Sequence, residues 1–122
     1  MPALQRLRRR ADFLRVADGR RKWVTPGLIL QTLAHAPVSD APGAIRVGFT
    51  ATRKIGNAVV RNRARRRLRA AAASVMAHHA ATGFDYVLIA RLDTPTRPYP
   101  ALIEDLETAL RRLGTWRDGR SD

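Results

Sequence analysis

One long amphipathic segment constrains this chain more than any other feature. From Ala58 to about His79, Val60, Ala64, Leu68, Ala71 and Val75 recur at spacings of four and three, which puts them in one stripe of a helix. Gly56 ends the extended run before it. Asn57 is a residue type whose side chain caps the free N–H groups of a helix start. Thr82-Gly83 stops the helix. The stripe is narrow. At about 100° per residue, Arg61, Arg65, Arg69, Asn62, Arg66, Arg63 and Arg67 sweep most of the remaining circumference. Such a helix must rest on a surface along one edge and leave a guanidinium-covered face outside. Like charges three and four residues apart repel, and no Asp or Glu on this segment offsets them. The neutralising charge has to come from a partner.

The rest of the chain supplies a surface for the stripe. Asp12 to Ala17 reads as a short helix, with Phe13, Val16 and Ala17 on one face and Gly19 as its stop. Leu28 to Leu33 and Tyr86 to Ala90 are apolar enough for buried strands. Ile45 to Thr50 alternates, with Ile45, Val47 and Phe49 facing inward and Arg46, Gly48 and Thr50 facing the other way. Ala101 to Leu113 is a last helix, apolar at Leu102, Leu106, Ala109, Leu110 and Leu113, with Gly114 at its end. Residues 1–10 read as a basic lead-in, His35 to Gly43 as a hairpin loop, Thr94 to Pro100 as a proline-rich loop, and 115–122 as a flexible tail. The order is α-β-β-α-β-α: a single α+β domain over 1–122, a small sheet with packed helices.

Composition sharpens the partner. The chain has 122 residues, the length of one domain. It carries 23 Lys and Arg against 10 Asp and Glu, a net charge of +13, and no acid between Ala41 and Phe84. Only Lys22 and Lys54 are lysines. A guanidinium forks onto phosphate and stacks on bases, where an ammonium is a hydrated point charge. The expected partner is a phosphate-rich polyanion. The lack of cysteine excludes a disulfide framework, a thiolate zinc site and a thiol nucleophile, and it fits a reducing compartment. No run of about 18 apolar residues is present, and the N-terminal arginines to Arg10 are not followed by the apolar core of a secretory signal, so the reading is cytoplasmic, with no membrane partner.

Groups able to carry chemistry are sparse. His78 and His79 are adjacent, so they do not meet as ligands four apart would, and His35 falls in a loop. Glu104, Asp105 and Glu107 sit early in a helix, where the macrodipole favours them. Lys54-Ile55-Gly56-Asn57 lacks the glycine spacing of a phosphate loop. No catalytic residue and no metal site is assigned. Binding groups are easier to name. Arg46, Thr50 and, continuing the alternation, Thr52 offer donors with no acid beside them in sequence. Asn62 suits a base edge or a 2′-hydroxyl. Phe13 and Trp23 either stack on unpaired bases or pack in the core.

The run Arg53-Lys54-Ile55-Gly56-Asn57-Ala58-Val59-Val60-Arg61-Asn62-Arg63-Ala64-Arg65-Arg66-Arg67-Leu68-Arg69 resembles the signature of the protein subunit of bacterial ribonuclease P. Arg6-Leu7-Arg8-Arg9 with Asp12-Phe13, Arg46 to Thr50, and Tyr86 to Arg91 are similar to flanking parts of that family, so the likeness spans about residues 4–113. It implies a fold like domain 2 of ribosomal protein S5, with a left-handed βαβ crossover against the usual hand. It also implies a ribonucleoprotein that removes the 5′ leader of precursor tRNA by endonucleolytic hydrolysis. The catalytic groups and Mg²⁺ would then sit on the ribonuclease P RNA, with no cofactor on the isolated protein and no protein partner required. By the same resemblance Arg53, Lys54, Gly56, Asn57, Arg61, Asn62, Arg63, Arg65, Arg66, Arg67 and Arg69 face the catalytic RNA. A cleft between the first helix and the sheet holds the leader, with Phe13, Trp23, Arg46, Thr50 and Thr52 along it. Relatives often carry aromatics where this chain has Ala17 and Gln31, which leaves Trp23 as the candidate substitute. Two other readings compete: a structural RNA-binding protein of ribosomal-protein type with no part in a reaction, and a self-sufficient nuclease.

Overall fold

The alternating and apolar runs come together as the middle of a five-stranded sheet in the computed structural model, which describes residues 4–35 and 44–119. The strands are β1 (Leu4–Arg6), β2 (Lys22–Val24), β3 (Leu28–Ala34), β4 (Ile45–Thr50) and β5 (Phe84–Ala90). Their spatial order is β1-β4-β5-β3-β2. The helices are α1 (Arg10–Asp18), α2 (Ala58–His79) and α3 (Tyr99–Arg112), and a 3₁₀ turn covers Arg53–Ile55. β5 is central, antiparallel to β3 and parallel to β4. The β4–α2–β5 unit is therefore the parallel crossover that the resemblance implied.

The inward residues of β4 join a core with Leu28, Leu30, Tyr86 and Leu88 from the sheet. Onto them pack Ala64, Leu68, Ala71 and Val75 of the α2 stripe and Leu102, Leu106 and Leu110 of α3. Each such leucine contributes roughly 1.5–3 kcal/mol by its burial. The opposite sheet face carries a smaller cluster, Leu7, Val16 and Val87, with Phe13, Leu33 and Ile89 packed against it. So α2 and α3 cover one face and α1 lies on the other. With only nine residues, α1 covers part of that face and leaves Ile29, Gln31, Thr50 and Ile89 half-buried.

Several expectations need correcting. The lead-in over 1–10 contains β1, an edge strand that pairs with β4 in parallel. The Arg21–Val24 run contains β2, which pairs with β3 across the Thr25–Gly27 turn. Both are three-residue strands whose partners alone make them strands, so local pattern does not reveal them. The 35–43 connection is not a hairpin, because β5 lies between β3 and β4; its residues 36–43 lie outside the described residues. α3 starts earlier than its apolar pattern, since Pro100 is acceptable in a first helical turn. The stretch from Thr115 to Arg117 is no loose tail. Thr115 N–H donates to Leu110 O at 2.9 Å, and Ala81 N–H donates to Thr115 O at 2.8 Å. Trp116 bridges to Ala80 and stacks on His79 at 4.1 Å. Residues 120–122 lie outside the described residues.

Candidate RNA interface

The basic face of α2 is built from a local turn. Gly56 has φ 145°, and a Cβ there would meet Val60 at 2.9 Å, so both backbone and space call for glycine. Asn57 caps the helix as its residue type predicts, accepting from Val60 N–H at 3.0 Å. Arg53 and Lys54 lie exposed just before the cap, and Arg63, Arg66 and Arg69 lie exposed along the helix. Arg61 is half-buried, its Nη1 3.4 Å from Gly56 O. Arg65 donates to Asn62 Oδ1 at 2.6 Å, which orients the Asn62 amide within the basic face. The Arg69 guanidinium sits 5.9 Å from the Phe49 ring centroid.

Arg67 departs from the expected set. It borders the apolar stripe, and its guanidinium donates to Pro95 O at 3.4 Å and to Arg97 O. It ties α2 to the loop before α3 and does not join the open face. That loop is held further by Arg97, whose Nε lies 2.5 Å from Asp105 Oδ2. The Asp105 hydrogen bond raises the Arg97 guanidinium above its ordinary value, against the opposing effect of desolvation. Asp105, first explained by the helix dipole, is thus a buried ion-pair partner.

The expected cleft divides. Phe13 brings its Cε1–Cζ edge against Gly48 and lines a depression of about 380 Å³ with Arg8, Arg10, Leu14 and Thr50. Thr52 is exposed just past the end of β4. Trp23 is not with them. It pairs with Leu30, whose side chain enters the α2/α3 core, so Trp23 faces α3, where Arg112 stands 5.4 Å over its ring. Arg46 does lie on the α1 side, but the expectation of no acid beside it fails. The β4/β5 register sets it opposite Asp85, and it donates to that carboxylate through Nε at 2.7 Å and Nη2 at 2.6 Å. His35, placed in a loop by sequence, brings Nε2 to 3.0 Å from Asp85 Oδ1, without hydrogen-bond alignment.

Sequence reasoning missed Asp85, Arg15, Arg8 and Arg10 at this face. Asp85 falls one residue before the apolar run taken as a strand, and its alignment with Arg46 depends on strand pairing. Among the described residues no three His, Asp or Glu side chains gather to hold a metal. The basic face repels a divalent cation rather than ligating it, so its residues do not fit a resident Mg²⁺. No helix among the described residues is long and apolar enough to cross a membrane.

The chain matches the family model described as Ribonuclease P over residues 1–114. It is 55% identical over 111 residues to the "Ribonuclease P protein component" of Paramagnetospirillum magneticum, covering 91% of this chain and 84% of that protein. The protein of the same description from Ruegeria pomeroyi is 48% identical over 108 residues, covering 88% of this chain and 84% of its own. Among solved structures, the RNase P protein of Staphylococcus aureus superposes with a TM-score of 0.74 at 22% identity, covering 92% of this chain and 97% of that one. That of Thermotoga maritima gives 0.73 at 24%, covering 88% and 96%. These likenesses show the fold.

Proposed function

The chain belongs to the ribonuclease P protein family, and from that premise we propose that it is the protein subunit of a ribonucleoprotein that trims the 5′ leader of precursor tRNA. The observation that carries the reading is the exposed arginine face of α2, set behind an Asn57-capped turn and free of acids along its length. Arg53, Lys54, Arg63, Arg66 and Arg69 neutralise phosphates of the catalytic RNA. Arg61, Arg65 and Asn62 shape that face, and Arg67 supports it from behind. The depression beside Phe13 takes single-stranded leader, with Arg8, Arg10 and Thr50 around it and Thr52 just beyond the end of β4. The protein contributes binding and position. Bond cleavage and Mg²⁺ belong to the RNA. A purely structural RNA-binding role has no observation that favours it over this one.

The test is single-turnover cleavage of a precursor tRNA at low Mg²⁺ by the protein alone, its cognate ribonuclease P RNA alone, and the two together. Cleavage rescued only by the pair is the expected result. Cleavage by the protein alone, with contaminating nuclease excluded, overturns the division of labour. Tight RNA binding without rescue moves the protein to the structural class.

A further inference from the structure

Asp85 is fully buried in the central strand, and two guanidiniums and an imidazole from three other parts of the fold converge on it. Arg46 of β4 donates twice to its carboxylate. Arg15 of α1 donates to Oδ2 and also to Ala34 O at 3.0 Å. His35, at the end of β3, stands against Oδ1. Arg46 Nη2 also lies 3.8 Å from Asp12 of α1. A buried carboxylate is costly unless paired, and here the pairing spans α1 and the sheet. The apolar seat of α1 is small, since Val16 is its one fully buried residue. Removing the Asp85 charge leaves two guanidiniums facing each other where α1 meets the strands.

We propose that Asp85 is a positioning residue for the leader cleft: through Arg15 and Arg46 it seats α1 against the sheet, and so holds Phe13 on Gly48 of β4 where the ring lines the depression that takes single-stranded RNA. The inference rests on the leader-cleft reading above. Asp85 itself, lying at no exposed surface, touches no RNA.

The experiment uses the holoenzyme assembled with its cognate ribonuclease P RNA. Dissociation constants are measured for a leader-bearing precursor and for mature tRNA. Asp85→Asn is expected to weaken the precursor about tenfold, equivalent to about 1.4 kcal/mol, and mature tRNA less than twofold. The substitution adds net positive charge, which by itself strengthens RNA binding, so a leader-specific loss has the opposite sign from a charge effect. Arg15→Gln is expected to behave like Asp85→Asn, and Arg15→Lys to restore most of the leader preference. If Asp85→Asn does not fold, the Arg15 pair decides. Equal losses on both ligands, or unchanged precursor affinity in a folded variant, overturn the proposal. Phe13→Ala separates the two levels. A leader-specific loss from Phe13→Ala alone leaves the cleft standing and removes Asp85 from it. No leader-specific loss from Phe13→Ala removes the cleft, and the positioning role falls with it.

Discussion

Gly48 shows how little room the cleft side of the sheet has. A Cβ at that position would come within 2.5 Å of Phe13 Cε1 and Cζ, so the ring rests directly on the strand backbone. Alternation along β4 puts Gly48 on the right face but gives no hint that an aromatic from another element covers it. Gly56 and Asn57 differ in this respect. Their roles follow from turn chemistry within five residues, and both are readable from sequence alone. We expect Gly48→Ala to cost about 1–3 kcal/mol in urea denaturation, the usual range for overpacking. The same variant should weaken a leader-bearing precursor more than mature tRNA, because the ring it displaces lines the depression. A stable variant with unchanged leader preference would take Phe13 out of the binding surface.

At the scale of elements, α2 carries two kinds of arginine that its sequence does not distinguish. Arg63 projects outward, and Arg67 reaches back to the carbonyls of Pro95 and Arg97. A wheel places Arg67 beside the stripe, yet only the folded loop shows what it meets. Arg67→Ala should therefore cost roughly 1–3 kcal/mol of stability, as losing a charged donor to part-buried carbonyls does. Arg63→Ala should stay within about 0.5 kcal/mol of the parent while weakening the catalytic RNA. Equal stability losses from both would mean that the helix has no such division. The C-terminal segment makes the same point about legibility. Its polar residues after Gly114 read as frayed, because the partners that hold them, Ala80, Ala81 and His79, lie far away in sequence. Arg111 also stands 4.2 Å over the Trp116 ring. Ending the chain at Gly114 should lower stability by about 2 kcal/mol or more, from the lost backbone bonds and ring contacts. A thermal midpoint unchanged by the truncation would return the segment to a loose tail.

For the whole molecule, the long elements and the main core were legible because each carries its own periodicity, and the basic face was legible because charge needs no tertiary information. The edge strands, the strand order and the Asp85 network depend on pairing between distant segments, and no local pattern reports them. What charge alone predicts is a binding law. The excess of +13 is not spread evenly, since no acid lies between Ala41 and Phe84 while the exposed Arg53, Lys54, Arg63, Arg66 and Arg69 fall within that span. If those side chains neutralise about five phosphates, affinity for the catalytic RNA should fall with salt on a log–log slope of about −4.5, taking the coefficient of duplex DNA. Arg63→Ala with Arg66→Ala should make the slope shallower by about 2, one for each lost phosphate contact. The Asp85 and Arg67 ion pairs and hydrogen bonds are partly buried, so salt screens them less, and over the same range the fold should hold while the complex dissociates. Filter binding of the RNA at a series of salt concentrations, with circular dichroism on the same samples, separates the two. A flat binding curve with the fold intact would mean that shape and base contacts, rather than neutralised phosphates, hold the protein on its RNA.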